Sequence, residues 1–234
     1  MDMSMKVLIG CEESQAVCKA FRDRGHEAYS CDLQECSGGH PEWHFNMSIF
    51  DVINGGELTT QSGDIVHIDK WDLGIMHPPC TFVAGSSVQW LSHPNDKHLP
   101  FESRRPHPKY PERRRDMRDS VDFVKALYNS NIPRVVIENP VGLLSSLWRK
   151  PDQIIQPYMF GDEATKTTCL WLKNLPNLTP TQMVGKGERI HFASGKSHPA
   201  WYAEAFKAKT KSERQRLRSK TFPGIARAMA EQWG

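Results

Sequence analysis

The chain has 234 residues, of which 38% are hydrophobic and 24% charged, and its net charge is +3. This composition excludes a disordered or collagen-like chain, and so small a net charge does not by itself indicate a nucleic-acid partner. No apolar run reaches the roughly 18 residues that a membrane span requires, and the first residues lack the pattern of a secretion signal. We therefore expect one α/β domain in a cytoplasmic protein with no membrane contact.

Six cysteines are scattered without a C-x-x-C pair, so we expect free thiols rather than disulfides. The short spacing of Cys31, Cys36, His40 and His44 raises zinc binding as an alternative. That spacing fits none of the usual zinc patterns, and Cys31 lies at the end of a predicted strand. We predict no metal site.

The first 32 residues have the pattern of a β-α-β unit. Lys6–Gly10 is a short apolar run that predicts a strand, and a segment with helical spacing follows it and ends at Gly25. Glu27–Cys31 predicts a second strand, which is closed by Asp32. Residues 35–69 have weak periodicity, so we expect loops around one short helix or strand there.

A third predicted strand is followed directly by a candidate nucleophile. Residues 72–76 form a brief apolar run that leads directly into Pro78, Pro79 and Cys80. Prolines cannot continue a central strand, so Cys80 must lie on a loop just beyond the carboxyl end of this strand. In open α/β sheets ligands bind at that edge.

The next strand brings a carboxylate to the same edge. Residues 92–115 are polar and rich in proline, and we predict a mobile basic surface loop there. A helical pattern follows, and then residues 134–137 form a buried strand that delivers Glu138 and Asn139 to the edge that carries Cys80.

Strands that alternate with helices predict a mostly parallel sheet with helices on both faces. Residues 168–172 predict a late strand, and Pro223 begins a last helix. We therefore predict a single domain over residues 1–234, in which residues 150–212 form a small irregular region.

A cysteine and a carboxylate at one edge are the groups needed for covalent attack on an electron-poor ring. Carbon 5 of cytosine is a poor nucleophile. When a thiolate adds to carbon 6 and an acid protonates ring nitrogen 3, carbon 5 becomes enamine-like and can take a methyl group from a sulfonium donor. Loss of the proton on carbon 5 then expels the thiol.

Two tripeptides carry a resemblance to a known family. Pro78-Pro79-Cys80 resembles the nucleophile loop of the cytosine-5 DNA methyltransferases, in particular the short bacteriophage and prophage type, and Glu138-Asn139-Pro140 resembles the loop whose glutamate acts on ring nitrogen 3. The resemblance implies a Rossmann-like, S-adenosylmethionine-dependent methyltransferase that acts on DNA. It implies that Cys80 is the covalent nucleophile and that Glu138 and Asn139 are catalytic as well.

The resemblance also implies where S-adenosylmethionine binds. Residues 10–14 stand where the family has its turn around the methionine part, and Asp32 stands where an acidic residue holds the ribose hydroxyls. The position of Asp51 suggests the adenine contact, and residues 221–226 resemble the last motif, which closes the pocket. The implied cofactor-binding residues are Gly10, Cys11, Glu12, Glu13, Ser14, Asp32, Asp51, Pro78 and Gly224.

The sequence departs from the family pattern in three places. Gln15 occupies a position that is commonly glycine in the phage relatives. The family's Gln-x-Arg-x-Arg element is not evident between residues 145 and 213, and we interpret the similar letters of residues 215–218 (QRLR) as a solvated helix face. The long target-recognition domain is missing, so recognition must be short, weak or assigned to a loop such as residues 92–115.

Basic side chains of that loop are the predicted phosphate contacts, because a protein that acts on a base must hold the strand around it. They are Arg104, Arg105, Arg113, Arg114 and Arg115. A second basic run over residues 207–220 is the alternative, and either run is otherwise a solvated face.

Three other functions stay open on the sequence alone. One is a methyltransferase that acts on RNA or on a free cytosine nucleotide, and another is a catalytically silent nucleic-acid-binding relative. The third is a nucleotide-binding protein without methyl transfer, since a fold alone does not define a function. The two basic runs favour a polymeric substrate, and the presence of both Cys80 and Glu138 favours an enzyme.

Overall fold

A computed structural model describes residues 4–234 of the chain, without the side chains of Lys211 and Ser212. Residues 1–3, which the single-domain prediction included, lie outside the described residues. The strands of the described part are β1 (Lys6–Gly10), β2 (Glu27–Cys31), β3 (His44–Phe45), β4 (Gly56–Thr59), β5 (Ile65–Ile68), β6 (Leu73–Met76), β7 (Val135–Pro140), β8 (Gln153–Ile155), β9 (Thr168–Lys173), β10 (Arg189–His191) and β11 (Ser197–Pro199). Its α-helices are α1 (Ala16–Arg22), α2 (Ile49–Val52), α3 (Arg113–Tyr128), α4 (Leu144–Leu147), α5 (Ala200–Glu204), α6 (Lys211–Ser219) and α7 (Pro223–Trp233).

The central sheet has seven strands in the order β3-β2-β1-β6-β7-β9-β8. The strands from β3 to β7 pair in parallel, whereas β9 is antiparallel to both β7 and β8. The chain adds β2 and β3 on one side of β1 and later returns to add β6 and β7 on the other side. The carboxyl ends of β1 and β6 therefore flank a topological switch point, where ligands bind in open α/β sheets.

Helices cover both faces of this sheet, as predicted. Successive residues of β1 point to opposite faces, so that Leu8 packs in a core with Val121 of α3. Ile9 packs in the other core with Phe21 of α1 and Met229 of α7. Each of these side chains is almost fully buried, and burial of such a side chain contributes roughly 1.5–3 kcal/mol. Packing on both faces thus fixes the sheet and the positions of its strand ends.

The candidate carboxylate lies within a strand rather than after one. The strand predicted over residues 134–137 is longer in the structure, where β7 includes Glu138. The antiparallel partner β9 extends the pairing as far as the end of β7. On its other side β7 loses its partner earlier, because β6 stops at Met76 opposite Ile137.

Two regions contain more regular structure than the sequence predicts. Residues 35–69 hold β3, α2 and the antiparallel hairpin β4–β5, where we expected one short element among loops. Residues 150–212, expected to be irregular apart from the late strand, also hold β8, the hairpin β10–β11 and α5. Strands this short carry no readable hydrophobic period, so tertiary pairing decides where they form.

Residues 92–115 are organised by their own arginines. Arg105 donates hydrogen bonds to both carboxylate oxygens of the buried Asp96, at 2.9 and 2.7 Å, and these bonds hold the pKa of Asp96 well below its ordinary value. Arg104 and Arg114 donate to backbone carbonyl oxygens of the same segment. The predicted loop therefore has internal bonds, and its mobility stays a prediction.

Among residues 4–234 no helix is long and apolar enough to cross a membrane. Within the same residues no group of three His, Cys, Asp or Glu side chains is arranged to hold a metal ion. His44, a member of the alternative zinc set, uses both ring nitrogens in hydrogen bonds to Ser30 Oγ at 2.8 Å and the Gln34 carbonyl oxygen at 2.9 Å. The six cysteines are free thiols.

The last helix begins against a loop that the sequence did not connect with it. The Gly224 N–H donates to Asp162 Oδ2 at 2.7 Å. A Cβ at residue 224 would collide with the carbonyl oxygen of Phe160 and lie 2.7 Å from Asp162 Oδ2. The requirement for glycine here comes from packing of α7 on this loop.

We expect Gly224→Ala to lower the free energy of unfolding by about 1–3 kcal/mol, because the added methyl group overpacks a site closed by backbone atoms. Urea unfolding measures this change. Arg227→Ala, on the exposed side of the same helix, is the control and should stay within about 0.5 kcal/mol of wild type. Equal stability of Gly224→Ala and wild type would show that α7 can move to admit the methyl group.

Candidate active site

The loop with Cys80 and the strand with Glu138 meet at the carboxyl edge of the sheet. The pairing of β6 with β7 ends at Met76, opposite Ile137. The next residues along the chain, His77 after β6 and Glu138 in β7, therefore lie side by side at this edge. The His77 N–H donates to the carbonyl oxygen of Gly10 at 2.9 Å, which ties this edge to the end of β1. The two separately predicted loops are therefore neighbours.

Hydrogen bonds from two elements hold the Cys80 loop. Asn139 is 1% exposed, and its Nδ2 donates to the carbonyl oxygen of Pro78 at 2.8 Å. Arg113, the first residue of α3, donates to the carbonyl oxygen of Thr81 at 2.7 Å. The backbone is thus bonded on both sides of Cys80, and the thiol is half-buried.

The Glu138 carboxylate is paired with an imidazole. His77 Nδ1 and Glu138 Oε2 are 3.1 Å apart, and the two side chains are 10% and 12% exposed. Burial by itself raises the pKa of Glu138, but the hydrogen bond with His77, the positive charge of Lys166 and the Thr168 hydroxyl together hold this pKa below its ordinary value. Glu138 is therefore ionised at neutral pH.

The second ring nitrogen of His77 is available to a ligand. His77 Nε2 is buried and has no hydrogen-bond partner among the described residues. Glu12, in the turn after β1, is near enough for its carboxylate to interact with the charge of His77. Burial raises the pKa of Glu12, and the charge of His77 partly offsets that rise. His77 thus stands between the candidate cofactor turn and Glu138.

Opposing charges act on the Cys80 thiol. Burial and the negative charge of Glu138 raise the pKa of Cys80, and the positive charges of Arg218 and Lys166 only partly offset this rise. The thiol is therefore protonated at neutral pH in the free protein. Neutralisation of Glu138 would favour the thiolate, because it removes the repulsion and leaves the two cations.

Lys166, Thr168 and Arg218 are not among the residues predicted from the sequence. Thr168 begins β9, and because β9 is antiparallel, its amino end lies where the parallel strands have their carboxyl ends. Lys166 Nζ donates to the carbonyl oxygens of Ser219 and Lys220 at 3.5 and 3.0 Å, which holds the end of α6 near this edge. The antiparallel direction of β9 brings Lys166 and Thr168 to the site, and the sequence gives no signal of that direction.

The interpretation of residues 215–218 as a solvated helix face is incomplete. These residues are exposed, as predicted. However, the Arg218 guanidinium lies 4.8 Å from the centre of the Tyr202 ring, and its charge reaches Cys80. The segment therefore supplies a cation to the site.

Side chains of the turn after β1 fix its conformation. Glu12 accepts the N–H groups of Val17 and Cys18 at 2.8 and 3.3 Å, so its carboxylate caps α1. Gln15 is fully buried with a left-handed φ of 58°, and its side-chain amide bonds both the carbonyl oxygen and the N–H of His40. These bonds offset the strain of the left-handed backbone at Gln15.

Gly10 is required by packing between strands. A Cβ at residue 10 would lie 2.5 Å from Met76 Sδ and 2.8 Å from Ile49 Cδ1. This packing accounts for a glycine at residue 10 without a cofactor, so the predicted contact of Gly10 with a cofactor stays a prediction. The next residue, Cys11, has a left-handed φ of 60°. Burial and the charge of Asp32 raise the pKa of Cys11 to about 12, so it is a neutral thiol.

Asp32 and Glu13, which were predicted to bind the cofactor, can accept hydrogen bonds from a ligand at this edge. Asp32 is half-buried after β2 and accepts a hydrogen bond from the Gln34 N–H at 2.9 Å. One oxygen of Glu13 accepts a hydrogen bond from the Ser37 hydroxyl. The other oxygen, Oε1, is buried and has no hydrogen-bond partner in the described part of the chain.

Asp51, Pro78 and Gly224 were also predicted to bind the cofactor, and the structure shows their surroundings. Asp51 is exposed in the first turn of α2, whereas the residues that directly follow β3 are 46–48. Pro78 is buried with its carbonyl oxygen bonded to Asn139, and Gly224 packs on the Asp162 loop. Their contact with a cofactor stays a prediction.

A cavity of about 780 Å³ lies beside the turn but apart from the thiol. Ser14, Trp201 and Phe222 are among its lining residues. Cys80, Glu138 and Asp32 do not line it, so the chemistry of the edge does not belong to this cavity.

The five arginines predicted as phosphate contacts are all bonded within the protein. Arg113 holds the Cys80 loop, and Arg104, Arg105 and Arg114 hold the segment around them. Arg115 forms exposed ion pairs at 3.1 and 3.4 Å with the acidic residues on either side of it along α3, Glu112 and Asp116. Phosphate binding by these arginines stays a prediction, and replacing Arg113 or Arg114 would disturb the loop itself.

We expect Glu138→Gln to speed alkylation of Cys80 by iodoacetamide several-fold at pH 8, because loss of the negative charge lowers the pKa of Cys80. Peptide mass spectrometry gives the rate at each cysteine, with the half-buried Cys36 as the internal reference. An unchanged ratio of the Cys80 rate to the Cys36 rate would show that Glu138 does not act on the thiol.

A thiol, a carboxylate, an imidazole and two cations thus gather at the carboxyl edge of a mostly parallel sheet. A comparison of the sequence with protein-family models finds no match, and a search of curated proteins finds none either. The function of the chain is therefore inferred from these residues and from their motifs.

Proposed function

We propose that this chain is an S-adenosylmethionine-dependent methyltransferase that transfers a methyl group to carbon 5 of cytosine in DNA, with Cys80 as the covalent nucleophile. The observation that carries the proposal is the placement of Cys80 and Glu138 at one strand edge, close enough for the carboxylate to raise the pKa of the thiol. A half-buried thiol whose pKa is raised by a neighbouring carboxylate is suited to activation by a ligand that neutralises that carboxylate.

The strand order and strand directions of the central sheet support a methyltransferase fold. A doubly wound sheet with a switch point beside β1 suits a nucleotide-like ligand. The antiparallel β9 between β7 and β8 is the arrangement expected of the methyltransferase form of this sheet, in contrast to the all-parallel dinucleotide-binding form. We therefore assign the chain to a Rossmann-like methyltransferase fold.

The first step moves a proton from the thiol to the base. Cytosine would place its exocyclic amino group and ring nitrogen 3 against Glu138, which His77 holds in position. As the proton of Cys80 passes by way of the Glu138 carboxylate to ring nitrogen 3, the positive charge of the ring neutralises Glu138, and the pKa of Cys80 falls because the repulsion is gone. Cys80 loses one proton and the ring gains one, so the charge is balanced.

The following steps form and break the covalent adduct. The Cys80 thiolate adds to carbon 6, and its electron pair makes carbon 5 nucleophilic. Carbon 5 takes the methyl group as the bond between that group and the sulfonium donor breaks, and it then loses its proton to solvent. The restored double bond expels the thiolate, and ring nitrogen 3 returns its proton to Cys80. Lys166 and Arg218 stabilise the thiolate as it arrives and as it leaves.

S-adenosylmethionine, when bound, supplies a methyl group on a positively charged sulfur. The turn after β1 and the end of β2 fit this molecule, because they offer carboxylates rather than cations. Asp32 would accept the ribose hydroxyls, and the unpartnered Glu13 Oε1 would accept the amino group. Glu12 keeps the turn in place by capping α1.

A polymeric substrate is supported by the charge next to the nucleophile. Lys166 and Arg218 act on Cys80, and α6, which carries Arg218, is exposed and basic. A free nucleotide would leave such an extended basic surface without a partner. Incubation with labelled S-adenosylmethionine and separate DNA, RNA and cytidine triphosphate substrates tests the assignment, with labelled 5-methylcytosine expected in DNA.

We expect Cys80→Ser to abolish methyl transfer and to leave the affinity for S-adenosylmethionine within a few-fold, because the thiol acts on the base rather than on the cofactor. The wild-type protein should also form a stable adduct with DNA that contains 5-fluorocytosine, since fluorine cannot leave carbon 5 as a cation. Denaturing electrophoresis detects the adduct. Cys36→Ser, at a half-buried cysteine outside the predicted site, is the matched control and should keep the adduct.

Normal turnover by Cys80→Ser would overturn the proposal. An active wild-type enzyme that gives no adduct with 5-fluorocytosine would show a mechanism without a covalent step.

We expect Asp32→Ala to weaken the binding of S-adenosylmethionine by about 1–3 kcal/mol, the cost of leaving the ribose hydroxyls without a charged acceptor. Calorimetry measures the dissociation constant. Asp119→Ala, an exposed carboxylate on α3, is the control and should bind as wild type. If Asp32→Ala also binds as wild type, the end of β2 is not the ribose site.

A further inference from the structure

Positive charge is concentrated in residues 189–220. This segment has nine Lys or Arg residues and two Glu residues, which gives +7, whereas the whole chain has +3. The remainder of the protein therefore carries −4. A polyanion would meet this segment first, and the rest of the surface would repel it.

Exposed aromatic rings lie within the same segment. The ring centres of Tyr202 and Phe206 are 5.4 Å apart, and those of Phe206 and Phe192 are 6.1 Å apart. Phe192 is 40% exposed and Phe206 is 47% exposed, although large apolar rings are usually buried. Tyr202 is half-buried, and the His198 ring packs against Phe192, Tyr202 and Phe206 at centre distances of 5.7, 5.2 and 5.5 Å. We call the rings of Tyr202, Phe206 and Phe192, which surround His198, the aromatic track.

The aromatic track leads to the nucleophile. Arg218 lies over the Tyr202 ring at 4.8 Å, and the charge of the same arginine acts on Cys80. Lys166 holds the end of α6 by hydrogen bonds to its last carbonyl oxygens. The end of α6 that borders the aromatic track is therefore held at the sheet edge that carries Cys80.

Cations beside the aromatic track are free to contact a ligand. The guanidinium groups of Arg214 and Arg216 on α6 are exposed and form no ion pair or hydrogen bond with any described side chain or backbone group. In contrast, all five arginines of residues 104–115 that we predicted as phosphate contacts are bonded within the protein. The unpaired positive charge thus lies on α6.

From this arrangement we infer that residues 189–220 bind single-stranded DNA, with bases stacked on the aromatic track and phosphates held by α6. The inference rests on the proposed function and specifies its substrate. Exposed rings suit an unpaired strand, because each base then has a face open for stacking, whereas the bases of a duplex stack on one another. An unpaired cytosine also reaches Cys80 without the cost of extraction from a duplex.

Fluorescence anisotropy tests the inference with a labelled oligonucleotide that contains one cytosine, alone and annealed to its complement, in the absence of S-adenosylmethionine. We expect the wild-type protein to bind the single strand at least about tenfold more tightly than the duplex at physiological salt. Equal affinity or a preference for the duplex would overturn the inference.

The aromatic track is tested by Phe192→Ala combined with Phe206→Ala. We expect single-strand affinity to fall by about fivefold or more, because each base loses a stacking partner. Phe50→Ala is the matched control, since Phe50 is 46% exposed and lies outside the segment. Phe206→Trp keeps a ring at this position and should bind as wild type, which separates stacking from any effect on folding.

The cations are tested by Arg214→Ala combined with Arg216→Ala. Loss of two phosphate contacts should reduce the slope of log affinity against log salt by about 1.4 on a single strand. Arg24→Ala combined with Arg118→Ala removes the same charge from exposed positions outside the segment and should leave the slope unchanged. Equal slopes for the two double variants would place the phosphates elsewhere.

The binding assay and the methylation assay can fail separately. Tight single-strand binding that depends on the aromatic track supports the inference even if no methyl group is transferred. Methylation of DNA by an enzyme whose binding is unchanged by the aromatic track variants overturns the inference and leaves the proposed function in place.

Discussion

The site depends on the unequal ends of two neighbouring parallel strands. β6 stops at Met76, opposite Ile137, while β7 continues because the antiparallel β9 pairs with it on its other side. The Cys80 loop and Glu138 therefore emerge at one edge. The hydrogen bond from buried Asn139 to the Pro78 carbonyl oxygen fixes the loop against the strand. Without this bond the two prolines would leave the loop with few backbone partners.

Electrostatics makes the edge responsive to a ligand. Glu138 stays ionised because His77, Lys166 and Thr168 outweigh its burial, and the same negative charge keeps Cys80 protonated by raising its pKa. The free protein is therefore protected from thiol chemistry. A ligand that neutralises Glu138 releases this restraint, so ionisation of the Cys80 thiol is coupled to binding of such a ligand.

The protein uses its two basic segments differently. The arginines near residues 104–115 are engaged in building the loop over the Cys80 side of the sheet. The cations of α6 are exposed, and Arg218 joins that helix to the nucleophile. One basic run thus builds the loop, and the other keeps exposed guanidinium groups available to an anion, since a guanidinium satisfied by carbonyl oxygens has few donors left for another ligand.

The sequence alone predicted the strands β1, β2, β6 and β9, the first part of β7, the helices on both faces, and the common edge of Cys80 and Glu138. Those features follow from local apolar runs and from prolines, which are properties of neighbouring residues. Tertiary structure decided the direction of β9, which brings Lys166 and Thr168 to the site, and the internal partners of the arginines. It also showed that Gly10 and Gly224 are glycines because Met76 and the Asp162 loop pack against them. These features depend on contacts between distant segments, and no local pattern of residue types records which segments will meet.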